Sequence, residues 1–156
     1  MRKKEREVSD LKSLESIIGR CDVCRIALTD GITPYIVTMN FGYTGGTDMK
    51  IWFHCAGEGR KMDLIRKNNL VCFEMDTDHR LIENDRACDC SMLYSSVIGY
   101  GYIDIIDDPV KKTEGLNAIM SHYSKPKEFT YDPQTLSRTT VLCLNVTEIT
   151  GKQLQK

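Results

Sequence analysis

Cys24-Arg25-Ile26-Ala27-Leu28-Thr29-Asp30-Gly31-Ile32-Thr33-Pro34-Tyr35-Ile36-Val37-Thr38-Met39-Asn40-Phe41 is the stretch that decides the fold. Two runs rich in β-branched and aromatic residues flank Asp30-Gly31, a tight-turn pair. The stretch therefore reads as a hairpin, with one strand over 24–28 and its return over 35–41. Gly45-Gly46 marks a second turn, and 50–54 reads as a third strand. Three consecutive strands joined by short turns predict a meander and an antiparallel sheet.

Upstream, Ser9 and Asp10 are N-cap types, and Leu11, Leu14, Ile17 and Ile18 follow at helical spacing until Gly19. Downstream, Met62, Leu64 and Ile65 give the segment after Gly59 the apolar side of a helix that stops near Asn68-Asn69. Residues 70–75 read as a fourth strand and 76–89 as a polar surface loop. Residues 92–106 form a long strand, bent or bulged at Gly99 and Gly101. Asp108-Pro109 places a cap before a proline at the first helical position, and Leu116, Ile119, Met120 and Tyr123 supply that helix's face. Residues 125–137 read as a loop. The last strand is 140–146, with Val141, Cys143 and Asn145 on one face and Leu142, Leu144 and Val146 on the other. Six strands and three helices predict an α+β, mainly β fold, a small antiparallel barrel decorated by helices. With no repeat and no low-complexity linker, residues 1–156 read as one domain.

The bulk numbers exclude several classes. Lys and Arg number 21 against 22 Asp and Glu, a net charge of -1, which speaks against a nucleic-acid binder. A hydrophobic fraction of 41% is too high for a disordered chain. The charged opening has no apolar run behind it, and the longest uncharged stretch, 31–47, is broken by Pro34, Asn40 and four glycines. The expectation is a cytoplasmic protein with no membrane span. Seven cysteines, an odd number, speak against a disulfide framework in such a chain. Cys21-x-x-Cys24 has zinc or redox spacing, and Cys88-x-Cys90 is tighter than a zinc knuckle requires. Cys24 runs into a strand pattern, whereas a low-pKa redox cysteine needs a helix N-terminus. Reduced thiols and no bound metal are the expectation.

Phe53-His54-Cys55-Ala56-Gly57-Glu58-Gly59-Arg60-Lys61 is the chemically informative junction. A strand end delivers His54 and Cys55 to a loop whose two glycines allow close backbone approach to a ligand. Arg60 and Lys61 open the next helix, where free N–H groups and the helix dipole already favour an anion. Over 58–67 four cations face two carboxylates, a local net charge of +2. A phosphate monoester carries about -1.5 to -2 at neutral pH, so the charges match. A solvated basic surface, a backbone-bonded strand histidine and, for Tyr94-Ser95-Ser96, a hydrophilic start to a strand are the plainer readings.

Four blocks occur in order: Pro34-Tyr35-Ile36-Val37-Thr38-Met39-Asn40-Phe41-Gly42-Tyr43; the junction 53–61; Asn68-Asn69-Leu70-Val71-Cys72-Phe73; and Tyr94-Ser95-Ser96-Val97-Ile98-Gly99-Tyr100-Gly101. With the opening Arg2-Lys3-Lys4-Glu5-Arg6-Glu7-Val8-Ser9-Asp10, the series resembles the pyridoxamine 5′-phosphate oxidase-like FMN-binding split barrels, and within them the nitroimidazole-resistance branch.

The resemblance implies a six-stranded split barrel and a homodimer with FMN at the subunit interface. It implies that Arg60 and Lys61 hold the FMN phosphate, with His54 and Cys55 beside it. The backbone of Val37, Thr38, Met39 and Asn40 would run along the isoalloxazine edge. Ser96 would lie near the flavin or its ribityl chain, with Tyr94 and Ser95 as further neighbours. His54 is the candidate catalytic residue, a proton donor or substrate-orienting group. The chain ends 150–156 without the arginine of the pyridoxamine phosphate oxidases, so synthesis of pyridoxal phosphate is not expected. Cys55 replaces the small residue typical after the histidine.

The leading expectation is an FMN-dependent oxidoreductase passing electrons to a small acceptor such as a nitroaromatic, with NADH or NADPH as donor. The alternatives are a non-catalytic flavin carrier or sensor, and a zinc-binding interaction domain built on the cysteine pairs.

Overall fold

The computed structural model describes residues 4–125 and 127–155. Arg2, Lys3 and Pro126, named above, lie outside the described residues.

Helix α1 (Leu11–Ile18) starts where Asp10 Oδ1 accepts the Ser13 N–H at 2.9 Å, and its apolar stripe buries Leu14, Ile17 and Ile18. Strand β2 (Cys24–Thr29) alternates cleanly, with Cys24, Ile26 and Leu28 buried and the residues between them half-buried. It pairs with β3 (Pro34–Met39) from Cys24↔Met39 to Thr29↔Pro34. Asp30 Oδ1 closes the turn by accepting the N–H groups of Ile32 and Thr33 at 3.0 and 2.9 Å. The hairpin expected from the sequence is present.

The meander is not. Strand β4 (Gly42–Thr44) pairs with β5 (Lys50–Cys55), and β5 continues the sheet through the last strand rather than through β3. Counting a two-residue β1 (Glu7–Val8), which pairs with the last strand, the sheet has eight strands among the described residues, not six. Its main path runs β3-β2-β6-β7-β8-β5-β4, where β6 is Leu70–Ile82, β7 is Ser91–Ile106 and β8 is Thr140–Leu154. Every pair is antiparallel. At Phe41 the chain leaves one end of this path for the other. Its ring is fully buried and its N–H goes to the Tyr123 hydroxyl at 3.1 Å instead of to a strand.

Three further boundaries differ from the sequence reading. Residues 76–82 are strand, not loop, because β7 supplies partners from Asp76↔Ser96 to Ile82↔Ser91 across a bulge at Thr77/Arg80. Strand β8 runs past Val146 to Leu154, held by β7 as far as Tyr94↔Leu154. Helix α4 (Pro133–Arg138) occupies part of the expected 125–137 loop, capped by Asp132 through the Thr135 N–H at 2.7 Å. Helices α2 (Arg60–Lys67) and α3 (Pro109–Tyr123) lie where the sequence places them, α3 capped by Asp108 through the Lys111 N–H at 2.8 Å.

The barrel interior holds the main core, including Ile26, Leu28, Phe41, Ile51, Phe53, Phe73, Met75, Val97, Ile103, Leu142 and Leu144. A second cluster of Trp52, Ile119, Val141 and Cys143 lies between the outer face of β5 and β8 and helix α3. The two faces expected for 141–146 therefore bury against different partners. Gly115 allows the approach of α3: a Cβ there would stand 2.5 Å from Trp52 Cε3.

A polar clamp ties α1 to the sheet. The Ser95 Oγ, fully buried, donates to Asp78 Oδ2 at 2.7 Å and accepts from Gln153 Nε2 at 2.7 Å, while Arg20 Nη2 donates to Asp78 Oδ2 at 2.9 Å. Asp78 is a non-glycine residue at φ 61, a conformation that Asn tolerates as well. The Arg20 hydrogen bond, then that of Ser95, holds its carboxyl below the ordinary value. A depressed folded-state pKa stabilises above the unfolded value, about 3.9, and that contribution is lost as pH falls through the folded one. Asp78→Asn is expected to cost up to about 1 kcal/mol near neutrality, since it removes a solvent-screened ion pair with Arg20 and weakens the bond to the buried Ser95 hydroxyl. Urea unfolding at pH 7 and pH 3 checks this: the gap to the wild type narrows in acid, and a gap of equal size at both would refute the assignment.

Candidate functional site

Strand β5 ends at the barrel rim, and its alternation turns His54 outward and tucks Cys55 half-buried against the core. Cys55 Sγ lies 3.7 Å from Met62 Sδ, which fixes the strand end to the first turn of α2. Gly59 occupies the N-cap position of α2 at φ 106, a conformation few side chains tolerate, and among the described residues no side chain caps the helix. The first-turn N–H groups of α2 are left without a side-chain acceptor. At the other end of the helix, Arg66 Nη2 reaches back to the Gly57 carbonyl at 2.9 Å and holds the glycine loop closed.

Arg60 is exposed and Lys61 half-buried. Among the described residues neither forms an ion pair with a carboxylate. Both meet β3 instead. The Arg60 guanidinium carbon stands 4.6 Å from the Tyr35 ring centroid, and Lys61 Nζ lies 3.9 Å from Met39 Sδ. Two unneutralised cations, an uncapped helix N-terminus and a glycine loop are the components of an anion socket. Beside it, β3 pairs only with β2 among the described residues, so alternate residues of the 37–39 stretch turn backbone groups without a strand partner to its far edge. Asn40 follows, exposed. Donors and acceptors on one side and cations on the other suit a flat heteroaromatic ligand with a phosphate tail.

Tyr94, Ser95 and Ser96 are not brought to this socket within one chain. Ser95 pairs with Gln153 and Cys55 with Thr140, at opposite ends of β8. The Ser95 hydroxyl is engaged by Asp78 and Gln153. Ser96 Oγ donates to the Lys152 carbonyl at 3.5 Å. Lys152 Nζ stands 5.4 Å from the Tyr94 ring centroid. Burial opposes ionisation of the Tyr94 phenol, but hydrogen bonds from Lys152 and Arg6 outweigh it and hold its pKa below the ordinary value.

Between the two groups runs the outer face of the sheet, which carries an apolar row beside a charged cluster. Pairing aligns Ile36, Ala27, Cys72 and Tyr100 in one row across β3, β2, β6 and β7. Ile98, Tyr102 and Leu70 flank that row, and Ile36 is 65% exposed. Arg25 lies on the same face, bonded to Glu74 at 3.0 Å and to Asp76. The sequence reading did not place Tyr35, Met62 or Arg66 at the site. The signal for Tyr35 was the strand alternation that puts it on one face with Val37 and Met39. Arg66 carried none, because a side chain folding back onto a loop leaves no periodic trace.

All seven cysteines are free. Burial pushes the Cys21 thiol up to about 12 and Cys143 to about 11, and raises Cys24 as well. Such groups resist forming the thiolate that redox chemistry or zinc requires. Among the described residues no three His, Cys, Asp or Glu side chains stand together as a metal site, and no helix is long and apolar enough to cross a membrane.

The family model for pyridoxamine 5′-phosphate oxidase matches residues 10–153. A candidate 5-nitroimidazole antibiotic resistance protein of Bacteroides thetaiotaomicron is 32% identical, with a TM-score of 0.83 over 94% of this chain and 86% of that one. A flavocytochrome of Azotobacter vinelandii superimposes at a TM-score of 0.82 with 16% identity, over 100% of this chain and 72% of that one. An FAD-binding protein of Mycobacterium smegmatis gives 0.63 with 22% identity, over 96% of this chain and 98% of that one. The latter two likenesses are of fold. No curated protein matches the chain in sequence.

Proposed function

Since the chain belongs to the pyridoxamine 5′-phosphate oxidase family, we propose that it is an FMN-binding oxidoreductase, active as a homodimer, that delivers electrons to a small acceptor such as a nitroaromatic compound. One observation carries the reading. Among the described residues, Arg60 and Lys61 stand without carboxylate partners at an uncapped helix N-terminus, beside the unpaired edge of β3. A phosphate monoester fits the cations, and the polar edge of a flavin fits the strand. When bound, the flavin supplies the redox chemistry.

The chain's own residues do the rest. Arg60 and Lys61 neutralise the phosphate. The β3 backbone orients the ring system. Met39 and Cys55 provide apolar contact at the core side. His54, exposed at the strand end, is assigned to orienting the acceptor and delivering a proton to it. The apolar sheet face from Ile36 to Tyr100 is assigned to a second copy, which would cover it and carry its own Tyr94–Ser96 segment toward the socket. The likeness to the 5-nitroimidazole resistance protein supports the nitroaromatic acceptor.

The purified protein is expected to be yellow, to release FMN on denaturation, and to elute at twice the mass of the 17.8 kDa chain. With NADH or NADPH and a nitroimidazole it should turn over. A protein that stays colourless after incubation with FMN, or a monomer that holds FMN fully, would refute the reading. Tight FMN binding without turnover would make the protein a carrier or sensor instead.

A further inference from the structure

The geometry points to Tyr35 as the positioning residue of the anion socket: its ring holds the Arg60 guanidinium at the start of α2, where its N–H donors can grip a phosphate. This rests on the flavin reading above and names a residue that reading does not need.

The guanidinium carbon of Arg60 stands 4.6 Å from the Tyr35 ring centroid. A cation over a ring is attracted by the negative face of the π system. The contact is with a ring and not with a carboxylate, so the guanidinium N–H donors remain available for an oxyanion. A carboxylate partner would act in the opposite way, occupying those donors, and among the described residues Arg60 has none. An exposed arginine otherwise samples many rotamers, and freezing them on binding subtracts from affinity. The ring removes part of that cost in advance.

Tyr35 is itself well anchored. It lies on β3 opposite Leu28, and its half-buried ring packs against the main core. The same strand face carries Met39, whose sulfur contacts Lys61 Nζ at 3.9 Å. One face of β3 therefore sets both cations, the first by an aromatic ring and the second by a thioether. What Tyr35 contributes is its ring, so the hydroxyl is dispensable and phenylalanine should serve as well.

The test compares wild type, Tyr35→Phe and Tyr35→Leu. Flavin-free protein is titrated with FMN and with riboflavin, and the Arg60 Nε–H resonance is followed by NMR in the absence of ligand. Leucine keeps the burial and the strand but removes the π face. It should weaken FMN about two- to five-fold, leave riboflavin unchanged, and abolish the ring-current shift of the Arg60 resonance. Phenylalanine should restore all three readings. Equal losses for both flavins, a phenylalanine variant as weak as the leucine one, or an Arg60 resonance indifferent to leucine would each overturn the assignment. Should the wild type take up no flavin, the reading above fails. The Tyr35 assignment is then decided by the NMR shift and by titration with inorganic phosphate, which the leucine variant should bind more weakly than the wild type.

Discussion

Alanine at both Arg60 and Lys61 is expected to weaken FMN binding by about two to four decades and to leave riboflavin binding almost unchanged. Each cation offers a charge-assisted hydrogen bond to a dianion, typically worth about 1.5–3 kcal/mol. Losing both removes that amount twice, and about 1.4 kcal/mol is a tenfold change in affinity. Riboflavin has no phosphate, so the same change removes nothing it uses. The fold should persist, because Met62, Leu64 and Ile65, not the two cations, hold α2 to the barrel. Fluorescence quenching of each flavin, at one ionic strength because exposed charges are screened, makes the comparison. Parallel losses for the two ligands would show that the residues act through the fold. An unchanged FMN affinity would show that the phosphate sits elsewhere.

Trp52→Ala is expected to cost about 3–5 kcal/mol of stability, the usual range for deleting a large buried aromatic side chain. Trp52 is 2% exposed and lies outside the barrel, with Ile119, Val141 and Cys143 as its cluster. Its indole Nε1 donates to Thr44 Oγ1 at 3.1 Å, which ties β5 to β4. Because Gly115 of α3 rests directly on the ring, little can move in to fill the space without shifting a helix. Against a total stability of about 5–15 kcal/mol, the loss should expose α3 before the barrel opens. Trp52 is the only tryptophan, so the measurement is urea unfolding followed by far-UV circular dichroism, with hydrogen exchange to locate the loosened segment. A cost below about 1 kcal/mol, or loosening of the barrel strands ahead of α3, would refute this account of how the helix is docked.

How much of the site was legible follows from the range of the interactions involved. The junction 53–61 could be read directly, since a strand end, a glycine loop and the start of a helix are neighbours in sequence and their chemistry is local. Strand β3 could be recognised as a strand, yet not as an edge. Its free edge depends on β2 pairing with β6 on its other side, a contact between segments some fifty residues apart. Tyr94, Ser95 and Ser96 show the same limit from the other direction. The family resemblance groups them with the junction, whereas the fold of a single chain sets them at the opposite end of β8 and engages Ser95 in the clamp with Asp78 and Gln153.

Local rules determined a good deal on their own. Capping side chains at Asp10 and Asp108, alternation in 24–28, the apolar run 141–144 and the Asp30-Gly31 turn each act over a few residues, so α1, α3, the hairpin and the antiparallel class could be derived without coordinates. Strand partners and strand ends were decided by tertiary structure. The polar segment 76–82 carries no hydrophobic alternation, and it is extended because β7 offers its backbone a ladder. Residues 147–154 follow β7 for the same reason. Phe41 looks like the end of a hairpin strand, but burying its ring in the barrel takes the chain across to the far end of the sheet, which breaks the meander. Backbone hydrogen bonding is indifferent to side-chain identity, so which strand satisfies which edge is settled only when the whole core closes around it.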